Sequence, residues 1–433
     1  MSQLNIDLEN SEKLPESVKI QVDGKIVNEL SKQVSSHLFA LGELMKNSYD
    51  AKATIINIIF DMKKNNLTIE DNGDGINIAN IQSLLHIAKS GKEYGREFSF
   101  NYKGKTITRY TQGSKGLGLF CAFKFGNKVQ WDTRFSNQSY SITVNKDDIV
   151  DSSDISQINF PLQKGSRTTT GTTITIDFEP QDPDLHYIYQ IITISKNYKK
   201  LVNFFHDDSM NIKFKVIPAS TSTDKKITLE TIGKKTLNNL LSEHKLFDIE
   251  YNSDTNKIIY NDFNSKEHTR IFTKKNSTDD YKIKLKINAY SFPQGYPGVK
   301  NIDNIFHNLN GDLSPLIYIN GVLFNNDQIF NPAITRKIQS GKSLPQLTGF
   351  IEIFCTNTGL QFNNERTELI DNAFNDRLKK DLVELNKFLQ EEGKKIEKII
   401  NPKKQAGGQT AGGQTAGGQT VGGQTAGGQT AGG

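Results

Sequence analysis

One short segment constrains this chain more than any other. Asp71-Asn72-Gly73-Asp74-Gly75 follows directly on a strand-like stretch, Leu67 to Glu70, and sets two glycines two apart between acidic side chains. Glycines so placed let main chain approach a ligand closely and adopt conformations closed to other residues. A calcium loop is the obvious rival. With Gly75 at that loop's invariant sixth position, Ile81 falls where the bidentate glutamate is needed, so the calcium reading fails. A plain tight turn stays open on these residues alone.

Two further patterns flank it. Upstream, Leu38, Leu41, Leu44, Met45 and Tyr49 recur at helical spacing, and Glu43, Asn47 and Asp50-Ala51 share another face of the same helix. A carboxylate and a carboxamide one turn apart suit a water-activating base and a metal ligand; they equally suit a solvated face. Downstream, Gly113-Ser114-Lys115-Gly116-Leu117-Gly118 opens an apolar helix, Leu119 to Phe125. Free N–H groups at a helix start, with a lysine beside them, attract anions. This is not a Walker loop: the Gly-Lys-Ser/Thr candidates at Gly104 and Gly341 have Ser99 and Arg336 where the first glycine belongs. Nor is it a dinucleotide fingerprint, because Cys121 occupies the third glycine's place.

The rest of the chain organises around these motifs. Strands are expected at Ile55–Phe60, Lys128–Thr133, Ser139–Val144 and Thr172–Phe178, with a helix over Ile76 to Ala88 carried by Ile78, Ile81, Leu84, Leu85 and Ile87. Lys89 to Gln112 is polar and long for a connection, which marks a functional lid or a disordered segment. Further strands are expected at Asn211–Ile217, Tyr281–Tyr290, Leu316–Leu323 and Gly349–Phe354, and Ile370 to Ile400 reads as one or two charged amphipathic helices. The end is a repeat: AGGQT at 406, 411, 416 and 426, with VGGQT at 421, a composition that cannot bury a core.

The division is therefore an N-terminal segment 1–28, a first domain 29–182, a second α+β domain 190–368, a helical segment 369–404 and a disordered tail 405–433. Two cysteines, Cys121 and Cys355, make no disulfide framework, and no run approaches the ~20 apolar residues of a membrane helix. A cytoplasmic protein with no membrane partner is expected. A net charge of +5 permits a nucleic-acid partner and proves none.

Taken in order, the motifs Glu43-x-x-x-Asn47-x-x-Asp50-Ala51, Asp71-x-Gly73-x-Gly75, the lid, Gly113-x-x-Gly116-x-Gly118 and Gly171-Thr172-Thr173-Ile174 resemble the GHKL ATPase superfamily. That group includes DNA gyrase B, MutL, MORC proteins, the ATP-driven heat-shock chaperone and histidine kinases, and Glu43 to Ile55 looks most like MutL and MORC. The resemblance implies an α/β fold: a two-layer Bergerat-type sandwich, a mixed sheet with helices on one face, followed by an α+β transducer-like domain. It implies ATP and Mg²⁺ as cofactors. Glu43 matches the general base and Asn47 the Mg²⁺ ligand. Asp71 matches the carboxylate that accepts the adenine amino group, Gly73 and Gly75 belong to the same motif, and Thr172 matches the residue that helps hold Asp71. Gly113, Gly116 and Gly118 match the phosphate loop, with Ser90, Lys92 and Lys115 as further phosphate contacts; Asp50 reads as structural.

The match also implies an ATP-dependent homodimer, an ATP-gated clamp on duplex DNA, and a protein partner carrying any effector activity. Lys196 to Lys200 and Lys394 to Lys404 are the basic candidates for DNA. A transducer lysine is expected at the γ-phosphate, Lys337 or Lys342, and Asn363-Asn-Glu-Arg366-Thr is similar to an Asn-Arg segment of MORC-like proteins. Where MutL has Phe-Arg-Gly-Glu-Ala-Leu this chain has Ser114-Lys-Gly-Leu-Gly-Leu119, which argues against mismatch repair. A chaperone-like ATPase with protein clients, and an ATP-gated binding module without turnover, remain the alternatives.

Overall fold

Ile56, Ile58 and Phe60 are buried and alternate with half-exposed neighbours, and Leu67 and Ile69 repeat the pattern, the mark of strands covered on one face. In the computed structural model these are β1 (Ile55–Asp61) and β2 (Asn66–Asp71). The described residues are 22–32, 34–84, 92–113, 116, 118–178, 184–219, 228–229, 244–276, 280–292, 297–308, 310–326, 328–332, 346–363 and 365–400. After a separate hairpin, β3 (Glu97–Tyr102) and β4 (Lys105–Tyr110), come β5 (Lys128–Phe135), β6 (Gln138–Asn145), β7 (Leu162–Lys164), β8 (Gly171–Asp177), β9 (Asn211–Ile217) and β10 (Thr228–Leu229). The large sheet runs β10-β9-β1-β2-β8-β5-β6-β7. It is mixed, since β1 lies parallel to β9 while β2, β8, β5 and β6 pair antiparallel with their neighbours.

Helices α1 (Ile26–Lys32), α2 (His37–Asp50), α3 (Gly118–Phe123), α4 (Lys146–Val150), α5 (Asp184–Thr193) and α6 (Ser195–Val202) accompany this sheet. Ser36 caps α2 by accepting the Phe39 N–H at 3.1 Å. Leu41, Leu44 and Met45 of α2 share one core with Ile56, Ile58 and Leu67, each fully buried side chain being worth about 1.5–3 kcal/mol. The expected α/β sandwich, a mixed sheet with helices over one face, is the architecture present.

A second sheet follows: β11 (Lys245–Asn252), β12 (Lys257–Asp262), β13 (Glu267–Ile271), β14 (Lys282–Tyr290), β15 (Leu316–Ile319), β16 (Val322–Phe324) and β17 (Gln346–Phe354), in the order β13-β12-β11-β14-β17-β15-β16. One continuous helix, α7 (Ala373–Ile400), lays Leu378, Leu382, Leu385 and Leu389 onto its core. These positions fall on one helical stripe. The β15–β16 turn ties the two sheets together: His206 N–H donates to the Gly321 carbonyl at 2.8 Å, Leu323 N–H to that of Phe204 at 2.9 Å, and Val322 lies in the first core.

The structure corrects three expectations. Asn211–Ile217, expected in the second domain over 190–368, is β9 of the first sheet, because its alternate residues Ile212, Phe214 and Val216 are buried in the first core beside β1. The helix expected over 76–88 is a 3₁₀ helix, Ile78–Leu84, with residues 85–91 outside the described set. Its Ile78 is 46% exposed. The long polar stretch is also not structureless, because it carries the β3–β4 hairpin. Phe98, Phe100 and Tyr102 take every second place in β3, as Thr106 and Thr108 do in β4, and Lys103-Gly104 supply a turn with positive φ at both positions. Residues 1–21, Ser90, Lys115, Lys337, Lys342 and the tail 401–433 lie outside the described residues.

Arg109 anchors the hairpin. It is wholly buried, with Nε on Asp207 at 2.7 Å, Nη1 on the Tyr49 carbonyl at 3.0 Å and Nη2 on Ser209 Oγ at 3.1 Å. Its guanidinium also lies over the Tyr49 and Phe100 rings. Arg109→Met strands the Asp207 carboxylate, and a broken buried pair costs about 3–5 kcal/mol. Urea unfolding of the variant checks this; a loss below about 1 kcal/mol, the value of an exposed pair, would sink it.

Candidate active site

Asp71 closes β2 and is almost fully buried. Its Oδ1 accepts the Gly73 N–H at 2.9 Å and the Thr172 N–H at 3.2 Å, and its Oδ2 accepts the Ser48 hydroxyl at 2.9 Å. Burial pushes the carboxyl up from its ordinary range, while these three donors and the nearby Arg167 guanidinium pull it back. An ionised carboxylate offers about four acceptor positions, so three donors leave Oδ2 able to take one more. Thr172 therefore holds Asp71 through its main-chain N–H; its hydroxyl lies 3.1 Å from Thr133 Oγ1 instead. Arg167 Nη2 donates to the Asp71 carbonyl at 2.9 Å and fixes the end of the strand.

The glycines after Asp71 face protein. A Cβ on Gly73 would fall 2.5 Å from the Ala51 carbonyl oxygen, and one on Gly75, whose φ is +77°, would fall 2.1 Å from that of Arg134. Asn72 staples the loop to the start of β1, its Oδ1 accepting the Thr54 and Ile55 N–H groups at 2.8 Å each. Both glycines are thus required by backbone packing whatever else they do.

On α2, Asp50 grips the start of the third motif. Its Oδ1 accepts the Gln112 N–H at 2.8 Å, its Oδ2 accepts the Gly113 N–H at 2.9 Å, and Lys92 Nζ reaches Oδ2 at 3.1 Å. A Cβ on Gly113 would lie 3.6 Å from Asn47 Oδ1, and one on Gly118 3.0 Å from Asn47 Nδ2. The glycine loop therefore lies on the Asn47–Asp50 turn, and Gly116 between them takes φ +64°. Ser48, between Asn47 and Asp50, carries the same helix over to Asp71. The structure thus brings Asn47, Asp50, Gly113 and Gly118 together, and Asp71, Gly73 and Thr172 together.

Glu43 sits one turn earlier and pairs with Lys46. Burial draws the Lys46 ammonium down to about 8 from an ordinary 10.5, with Glu43 opposing the shift. Both line a cavity of about 290 Å³ between the two sheets, walled by Phe39, Leu201 and Phe204 and faced from the second sheet's side by Arg366. Arg366 is buried over the Phe362 ring with φ +54°, and its Nε and Nη1 have no acceptor among the described residues. No group of three or more His, Cys, Asp or Glu side chains converges on a metal-sized site among the described residues.

Sequence reasoning missed Ser48, Lys46, Thr133, Gln112 and Arg167. Ser48 and Lys46 differ from any helical serine or lysine only by burial, and Arg167 and Thr133 reach the site from strands and loops far along the chain. Of the basic candidates, Lys196 donates to the His307 carbonyl at 2.6 Å and Lys199 pairs with Asp303 at 3.0 Å, while Lys394 and Lys395 pair with Glu397 and Glu392 on α7. No helix among the described residues is long and apolar enough to cross a membrane. Cys121 and Cys355 are buried, unpaired thiols.

Residues 34–173 match the family of histidine kinase-, DNA gyrase B- and HSP90-like ATPases. The chaperone protein HtpG of Sulfurimonas denitrificans is 30% identical over 177 residues, which is 40% of this chain and 25% of the chaperone, so the match spans about a quarter of that relative's length. Among solved structures, the N-terminal domain of a DNA repair protein overlays with a TM-score of 0.50 at 14% identity, covering 87% of this chain and all of that one. That likeness concerns the fold.

Proposed function

We propose that the chain binds and hydrolyses Mg-ATP along α2, with the adenine at Asp71 and the terminal phosphate towards Glu43, a reading supported by the match of residues 34–173 to the histidine kinase-, DNA gyrase B- and HSP90-like ATPase family. The observation that carries this reading is the Asp71 cradle. A buried carboxylate held by three donors with one acceptor position to spare is built to take an N–H. Adenine offers one; guanine presents an acceptor oxygen at that place and leaves two acceptors opposed.

In this reading Gly113, Gly116 and Gly118 bring main chain to the phosphates, with Lys92, Lys115 and Ser90 as side-chain contacts, while Gly73 and Gly75 shape the base pocket. Asn47 would hold Mg²⁺ through its side-chain oxygen, an oxygen donor of the kind that ion takes. The ion's part is to neutralise charge on the phosphate oxygens. Glu43 takes a proton from the attacking water as the bond to the ADP oxygen breaks and inorganic phosphate leaves. Arg366, with N–H groups to spare beside Glu43, is the cation we place nearest that charge.

The cycle is read as driving an ATP-dependent homodimeric clamp on duplex DNA, with a partner protein carrying any effector chemistry. The likeness of Glu43 to Ile55 to MutL and MORC supports it, as does a second sheet placed like a transducer. A chaperone-like cycle on protein clients is the second reading, favoured by the HtpG match. Steady-state phosphate release with Mg-ATP, alone, with duplex DNA at two salt concentrations, and with an unfolded protein, tests both. Stimulation by DNA that falls steeply with salt supports the clamp. Stimulation by the unfolded protein alone replaces it, and no release under any condition removes the hydrolase reading.

A further inference from the structure

Gln112 immediately precedes the glycine loop and is 3% exposed. Its main-chain N–H is held by Asp50 at 2.8 Å. Its side chain points the other way, into the junction with the second sheet. Nε2 donates to the Tyr110 carbonyl on its own hairpin and to the Asn320 carbonyl in the β15–β16 turn, each at 2.7 Å. Oε1 accepts Arg366 Nη2 at 2.9 Å. One carboxamide therefore touches the hairpin, the turn and the arginine that faces Glu43.

Its partners leave it a single orientation. Turned over, the amide would set its oxygen against two carbonyls and its NH₂ against a guanidinium. The far side is rigid as well. Asn320 is wholly buried with φ +52°, and its carboxamide clasps Cys355 in both directions, donating to the carbonyl and accepting from the N–H at 2.8 Å. A displacement of the Gly113 main chain moves the Gln112 backbone directly, and the Gln112 side chain meets partners that do not yield.

We propose that Gln112 is a positioning residue that couples the glycine loop to the second sheet and sets where Arg366 stands relative to Glu43. This rests on the ATP reading above. Nucleotide held by the loop is transmitted through Gln112 to the β15–β16 turn and Arg366; without it the loop still binds nucleotide and Arg366 is no longer held in place.

The test is hydrogen exchange on the full chain with and without a non-hydrolysable ATP analogue, beside steady-state kinetics, for wild type, Gln112→Met and Gln112→Glu. Methionine keeps the volume and removes every polar contact. Glutamate keeps the Arg366 pair and opposes the two carbonyls. In wild type the analogue is expected to slow exchange at the glycine loop and across residues 316–324. In both variants only the loop slows; in Gln112→Met kcat falls on the order of 10- to 100-fold, the cost of misplacing a group by about 1 Å, with KM unchanged, and in Gln112→Glu, which keeps Arg366 paired, kcat falls less. KM and kcat failing together, or residues 316–324 slowing equally in the variants, overturns the coupling. Wild type alone also decides it: analogue binding that leaves 316–324 unchanged sinks the coupling even if neither variant folds, and no analogue binding at all sinks the ATP reading and the coupling with it.

Discussion

Glu43→Gln is expected to lower kcat for ATP hydrolysis by about 10²- to 10⁴-fold, the usual worth of a positioned base, with nucleotide affinity near wild type. The amide keeps the size of the carboxylate and still accepts from Lys46, while loss of the carboxylate's charge pushes Lys46 further towards the neutral amine. The amide cannot take a proton from water. Phosphate release beside equilibrium titration separates the two effects, and unchanged turnover would remove Glu43 from the chemistry. Lys46 adds a pH signature. Four influences act on its proton: burial opposes it most, Glu43 favours it, Arg366 opposes it and Cys121 favours it, with the balance at about 8. At pH 7 the ammonium is present and occupies the Glu43 carboxylate. As pH rises through about 8 the ammonium is lost and Glu43 is released to act on water. The rate should therefore climb from pH 7 to 9, and Lys46→Met should abolish that inflection. A flat wild-type profile over this range contradicts the pairing as a brake.

Asp71→Asn should be the larger blow to binding. The amide can keep its oxygen towards the Gly73 and Thr172 N–H groups, which turns its NH₂ towards Ser48 and the bound base. Two donors then face each other where the adenine amino group should be accepted. An unmatched buried polar group costs about 1–3 kcal/mol, and more where a charge is removed, so ATP affinity should fall on the order of 10²-fold. Guanine's oxygen can accept from the same NH₂, so the preference for ATP over GTP should narrow or reverse. Titration of both nucleotides against wild type and variant checks this. Undiminished ATP affinity would move the base elsewhere.

What the sequence disclosed and what it withheld divide along physical lines. The helix bearing Glu43, the strands on either side of Asp71 and the glycine loop were legible because each is a local pattern: apolar residues at helical spacing, alternation, and paired glycines. The span Asn211–Ile217 was legible because its alternation is strict, but its place was not: expected in the second domain, it lies parallel to β1 in the first sheet, a pairing across some 150 residues. Of the helix expected at 76–88 the described part is the 3₁₀ helix Ile78–Leu84, and periodicity, which describes only a face, does not tell that Ile78 stays 46% exposed. The β3–β4 hairpin stayed hidden because its stability comes from Arg109 reaching residues some hundred positions away. Lys46 and Arg366 were invisible as a pair facing Glu43 for the same reason: only the docking of the second sheet creates the cavity between them.

The way Thr172 holds Asp71 has a consequence for genetics. The contact runs through the peptide N–H, which every residue but proline carries. Thr172 is buried in β8, so small residues that fit there, serine and valine, should keep the bond and proline remove it, whereas Ser48, whose side chain makes the equivalent bond, should tolerate little beyond threonine. Two positions of equal weight at the same carboxylate would then look wholly unequal in any survey of variants, and the quieter one would be taken for a bystander.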